Sequence, residues 1–248
     1  MEFDDMFHVL KPALNSNSCV PTLHFEWDEW RVHRYYVPFE GEAFARLGQL
    51  TGRANAALAY ASGEWILHRF AAVNHDETPR LYLEACWAAN VHWAYFPYVE
   101  IDEDRWRGPV RGPLLIMMAI AGDAYFGLDD DAAIQARSLW MRNLALHVLP
   151  DSGAYLAWFD ASLARLEHHH RKDQHPETED MLSPLPEGMG APPPRELFDT
   201  SQPYEPSHDA ERLDAYLRGL DPDASPFLAG ADALAGLDAF VGTPYRYR

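Results

Sequence analysis

The amino-acid sequence predicts a mainly α fold, an antiparallel multi-helix bundle or array with a Pro-rich C-terminal extension and a possible small N-terminal hairpin. Three observations carry this expectation. First, Pro113-Leu-Leu-Ile-Met-Met-Ala-Ile-Ala-Gly-Asp-Ala-Tyr-Phe126 contains one charge, Asp123, so a helix there is apolar around its circumference and is expected at the buried centre of the domain. Such a helix runs about 21 Å, too short for a bilayer core of about 30 Å. Second, from residue 40 to residue 172 apolar residues recur every three or four positions, segment after segment. Third, helix start and stop signals bound those segments, among them Thr78-Pro79, Pro97 and Pro150.

Residues 1–17 hold a short apolar set, Phe3, Met6, Phe7, Val9, Leu10 and Leu14, interrupted by Pro12. Leu23, Phe25 and Trp27 then alternate, as do Trp30 and Val32 in the other parity, which fits a hairpin. Leu23, Trp27, Trp30 and Arg34 on one face fit a helix equally well. Phe44, Leu47 and Leu50 form an amphipathic face, and after Gly52 the pattern resumes through Leu58, Ala61, Trp65, Phe70 and Val73, giving two helices or one kinked helix. Thr78 as N-cap and Pro79 at the first position open a helix that carries Leu81, Ala85, Ala88 and Trp93 towards Pro97. The apolar helix follows and closes at Gly127. Asp129, Asp130 and Asp131 place negative charge at the start of the next helix, where its dipole favours it. Asp151 or Ser152 caps the helix of Tyr155, Phe159, Leu163 and Leu166.

Residues 173–207 change character. They contain eight prolines and few apolar residues, which predicts an extended segment, mobile or wrapped over the body. Leu213, Tyr216, Leu217 and Leu220 then form one helical side, so residues 208–248 read as a short helical tail packed on the body. The division expected is a helical domain over 1–172 with its core at about 40–172, the Pro-rich segment, and the tail.

Charge limits the function. The net charge is -18, with 15 acids against 5 bases over residues 173–248 and 6 against 1 over residues 1–30. Such a chain repels phosphate backbones and attracts basic proteins, so a basic protein partner is expected and nucleic acid is not. Solubility alone is the competing explanation of the charge. The acidic start lacks the basic n-region and apolar h-region of a secretory signal, so a cytoplasmic protein without membrane attachment is expected. Cys19 and Cys86 are too few for a disulfide scaffold and are expected to be reduced.

No Gly-x-Ser-x-Gly, P-loop, dinucleotide-binding turn, His-Glu-x-x-His or zinc-spaced cysteine set occurs, so no catalytic residue, cofactor or metal site is assigned. Three adjacent histidines, His168 to His170, point about 100° apart on a helix and cannot share one ion, which leaves Glu167 with His170 as a partial pair beside His175. Glu64 and His68 share a helix face, and with Arg69, Glu84 and His92 they either line a polar pocket that uses His as acid or base or form a satisfied structural network. The loop Glu100-Ile-Asp-Glu-Asp-Arg-Trp-Arg107 sets Trp106 beside Asp102, Glu103 and Asp104. That tryptophan either anchors a partner or folds back over the bundle.

With its helical acidic body over residues 40–172, its abundant tryptophan and the helix around Gly63-Glu64-Trp65, the chain resembles the immunity proteins of bacterial polymorphic and contact-dependent toxin systems. The resemblance implies a non-enzymatic protein that binds and blocks a cognate toxin, and it transfers no site residue. The partner-binding candidates are therefore those of charge: Asp102, Glu103, Asp104, Trp106, Asp129, Asp130 and Asp131. The alternative is a helical enzyme built on the Glu64 and His68 pocket. Oligomeric state is left open.

Overall fold

The computed structural model describes residues 23–36, 40–97, 99–126, 131–172, 189–237 and 244–247. In chain order they form α1 (Glu42–Leu47), α2 (Gly52–Phe70), α3 (Thr78–Val91), α4 (Gly108–Phe126), α5 (Asp131–Val148), α6 (Ser152–His169), α7 (Asp209–Arg218) and α8 (Ala231–Ala235), with short 3-10 helices before α1, between α3 and α4, and before α7. The fold is mainly α, a multi-helix bundle, and the described residues contain no β-strand.

Small side chains decide which helix lies at the centre. α2 carries Ala54, Ala56, Ala57, Ala59, Ala61 and Gly63, all buried, and it packs against α3, α4, α5 and α6. A Cβ on Gly63 would stand 3.3 Å from Leu83 of α3 and 3.4 Å from Met117 of α4, so the missing side chain sets how closely three helices meet. α4, expected to be enclosed on every side, is not. Leu114, Met117, Met118 and Ala121 are buried, but Ala119 and Asp123 are exposed, so one stripe of the most apolar helix faces outward.

Side-chain amides and carboxylates close the turns between helices. Asn55, fully buried, donates through Nδ2 to the carbonyls of Leu47 at 3.0 Å and Thr51 at 3.3 Å, which closes the turn from α1 into α2. Asp151 caps α6 by accepting from the Gly153 N–H at 2.9 Å. At α3 the expected cap moves. Asp76, not Thr78, supplies the oxygen, accepting from the Thr78 N–H at 3.1 Å, while its other oxygen pairs with Arg111.

Among the described residues 23–36 the alternative of an N-terminal hairpin is not what forms. Glu29–Tyr35 is a 3-10 helix opened by Asp28, whose side chain accepts from the Trp30 N–H at 2.9 Å. That local bond favours a turn over a ladder. Trp27 instead stacks on Tyr35 at 5.9 Å, and its indole occupies the space where a side chain at position 112 would stand.

The described part of the Pro-rich stretch is a strap on the bundle. Leu197 and Phe198 are buried, Trp158 donates to the Phe198 carbonyl at 2.8 Å, and Arg165 donates to the carbonyls of Leu197 and Asp199 at 2.9 and 2.6 Å. Gly190, at φ +64°, turns against Thr51, where a Cβ would lie 2.5 Å from the threonine side chain. Further on, Tyr245 stacks on Tyr95 at 4.5 Å and donates to the Ala229 carbonyl at 2.8 Å.

α1 is tied to the end of α6 by Arg46, which donates to both Glu167 oxygens at 2.8 and 2.7 Å. Those hydrogen bonds hold the Glu167 carboxyl below its usual range. A depressed folded-state value gives stability that is present above the unfolded value and lost as pH falls through the folded one. Glu167→Gln should therefore lose less stability than the native chain as pH falls from about 5 to about 3, a difference of about 1 kcal/mol or less because the pair is partly solvated. Urea midpoints across that range check it.

Candidate functional site

The outward stripe of α4 and the loop before it enclose an open groove of about 780 Å³. The loop alternates: Val99 and Ile101 are half-buried, while Glu100 and Asp102 are exposed. Val99 and Ile101 join Leu115, Ala119 and Tyr82 in an apolar floor, and Glu100, Asp102, Glu103, Asp104 and Asp123 supply five carboxylates, with no basic residue among the described residues of the lining. Arginines stand at its ends. Arg107 pairs with Asp104, both well exposed, and Arg137 pairs with Asp123 at 3.5 Å while lying over the Trp140 ring. Asp102 accepts from the Asp104 N–H at 3.3 Å and so shapes the 3-10 turn that presents the acids.

Of the sequence candidates, Asp102, Glu103 and Asp104 are thus brought together on one wall. Trp106 is a correction. It is 4% exposed, with the Arg111 guanidinium 4.6 Å over its ring, so it braces the loop against α4 and offers no surface to a partner. Among the described residues the exposed tryptophans are Trp93, 52% exposed, and Trp30, 90% exposed on the 3-10 helix whose Glu29 carboxylate accepts from the Gly108 N–H at 2.6 Å. Asp129 and Asp130 lie outside the described residues, as do Cys19 and His175, and Asp131 is the first residue of α5.

The five residues of the polar-pocket alternative do not form one pocket. Glu64 Oε1 accepts from the Trp87 indole at 2.9 Å and from Arg195 of the strap, whose guanidinium lies 5.6 Å from both the Trp87 and Tyr216 rings. Burial works against that guanidinium's charge, and the Glu64 carboxylate, with Tyr216 and Glu84, more than offsets it. Glu84 pairs with Arg80 at 2.8 Å, and its carbonyl accepts from the Tyr216 hydroxyl at 2.7 Å. The space beside Arg195 is about 10 Å³, the size of a single water. His68 and Arg69 sit at the far end of α2, where Arg69 donates to the Val148 carbonyl at 3.1 Å. His92 ends α3 and accepts from the Ala94 N–H at 3.2 Å. The chain's own groups fill this network, which leaves no room for a substrate between Glu64 and Arg195.

Glu167 is committed to Arg46, and among the described residues no group of three or more His, Cys, Asp or Glu side chains is placed to hold a metal ion. Burial pushes the Cys86 thiol well up, away from nucleophilic use. No helix among the described residues is long and apolar enough to cross a membrane. No family model, curated protein or solved structure matches the chain.

Sequence reasoning missed Glu100, Asp123 and the groove floor. The signals were present: the alternation of Val99, Glu100, Ile101 and Asp102, and the lone charge of Asp123 in an apolar helix.

Proposed function

We propose that this chain is a non-enzymatic binding protein that neutralises a basic protein, and that the partner is a bacterial toxin held in the cytoplasm. The observation that supports this reading is the groove, an apolar floor ringed by five carboxylates. Complementary charge speeds encounter and excludes wrong partners, and apolar contact then slows dissociation. The acidic excess of the whole chain acts in the same direction at longer range. Immunity is the function that the helical, acidic, Trp-rich body resembles.

Co-expression is the test. A cell producing the basic protein encoded beside this one should survive when the native chain is present and should lose protection when Asp102, Glu103 and Asp104 are replaced together by their amides. Protection that is unaffected by the triple substitution removes the groove from the interface. A neighbouring product that is neither basic nor toxic removes the function.

A further inference from the structure

We infer that the groove takes one face of an amphipathic cationic helix, an assignment that rests on the basic-partner reading and specifies the element the partner presents. On α4, Leu115, Ala119 and Asp123 follow each other at intervals of four, so they form a single ridge along the helix. Ala119 on that ridge is exposed. A helix ridge without a neighbour is the surface on which another helix packs. From Leu115 to Asp123 the ridge runs about 12 Å, and two turns of a partner helix span about 11 Å.

The opposite wall selects charge. Val99 and Ile101 extend the apolar floor, and Glu100, Asp102 and Glu103 stand beside it. A helix with an apolar row at i, i+3, i+4 and i+7 would lay that row on the floor, while flanking arginines or lysines meet the carboxylates of the loop. Asp104 and Asp123 already pair with Arg107 and Arg137, but both acids are more than half exposed, so exchanging those partners costs little. Added-strand recognition has no template here, since the described residues contain no β-strand.

The probe is an acetylated peptide of about 14 residues, long enough for the two contacting turns with a turn at each end, with leucine at i, i+3, i+4 and i+7 and arginine elsewhere. Its control has the same composition in scrambled order. Titration calorimetry with the full chain at about 0.15 M salt, where longer-range charge effects are damped, should give about tenfold tighter binding for the patterned peptide. Circular dichroism should show that peptide gaining helix on binding. Ala119→Arg, a change at an exposed helix position, should abolish the preference while leaving the chain's own spectrum intact. Equal affinity for the two peptides, both lost at about 0.5 M salt, overturns the helix inference and leaves the basic-partner reading standing. If neither peptide binds at about 0.05 M salt, both are overturned. Preference retained in Ala119→Arg places the peptide elsewhere and overturns the assignment to this groove.

Discussion

Arg195→Ala should lower the stability of the chain by about 3–5 kcal/mol, the usual cost of removing one partner from a buried ion pair. The pair qualifies because the side chains of Arg195 and Glu64 are 8% and 12% exposed. Without the guanidinium, the Glu64 carboxylate keeps the Trp87 indole at 2.9 Å but loses its countercharge in a site with room for one water. Trp87 and Tyr216 also lose the cation they flank. In a chain of this size that loss corresponds to a fall of roughly 6–20 °C in Tm. Glu64→Gln should be nearly as costly, because it takes the Glu64 countercharge away from the buried Arg195 guanidinium. A double Glu64→Met, Arg195→Met variant should recover much of the loss, since apolar replacement of a whole buried pair is often neutral. Thermal unfolding of the three variants checks the series. A fall below about 1 kcal/mol for Arg195→Ala would mean that buried Leu197 and Phe198, with the hydrogen bonds from Trp158 and Arg165, hold the strap without the ion pair.

That pair also marks where sequence reasoning ends. Helices with local start and stop signals were legible, because their causes lie within a few residues. Asp151 caps α6 as its position suggested, and the break at Gly52 separates α1 from α2. Hydrophobicity was a poorer guide to position. α4 is the most apolar helix, yet α2 occupies the centre because alanine and glycine let neighbours approach, and composition alone does not weigh closeness of approach. Pro-rich composition left the segment after residue 173 either mobile or wrapped over the body, and could not choose between them. Over 189–199 the described chain is wrapped, fastened by contacts to residues more than thirty positions away, among them Trp158, Arg165 and Glu64.

The candidate site divides in the same way. Asp102, Glu103 and Asp104 were found because they are adjacent in sequence. Asp123 was not joined to them because only folding brings α4 alongside the loop. Trp106 and Trp30 both sit among charges in the sequence. Arg111, five positions beyond Trp106, decides that the first is covered, and no comparable cover reaches the second.

The measurement closest to the central claim is the association rate of the chain with the basic protein it is proposed to neutralise, taken as a function of salt for the native chain and for Asp102→Asn, Glu103→Gln, Asp104→Asn. Electrostatic steering raises such rates by about 10- to 1000-fold, and the gain falls as salt shortens the screening length to about 8 Å at 0.15 M. The triple variant should fold normally, since exposed carboxylates contribute little to stability. Asp131 is a poorer choice, because substitution at the start of α5 also disturbs a helix terminus. The native chain is expected to associate about tenfold or more faster than the variant at about 0.02 M salt, with the two rates converging by about 0.5 M. Equal rates at every salt concentration would contradict the claim, leaving solubility as the explanation of the acidic groove.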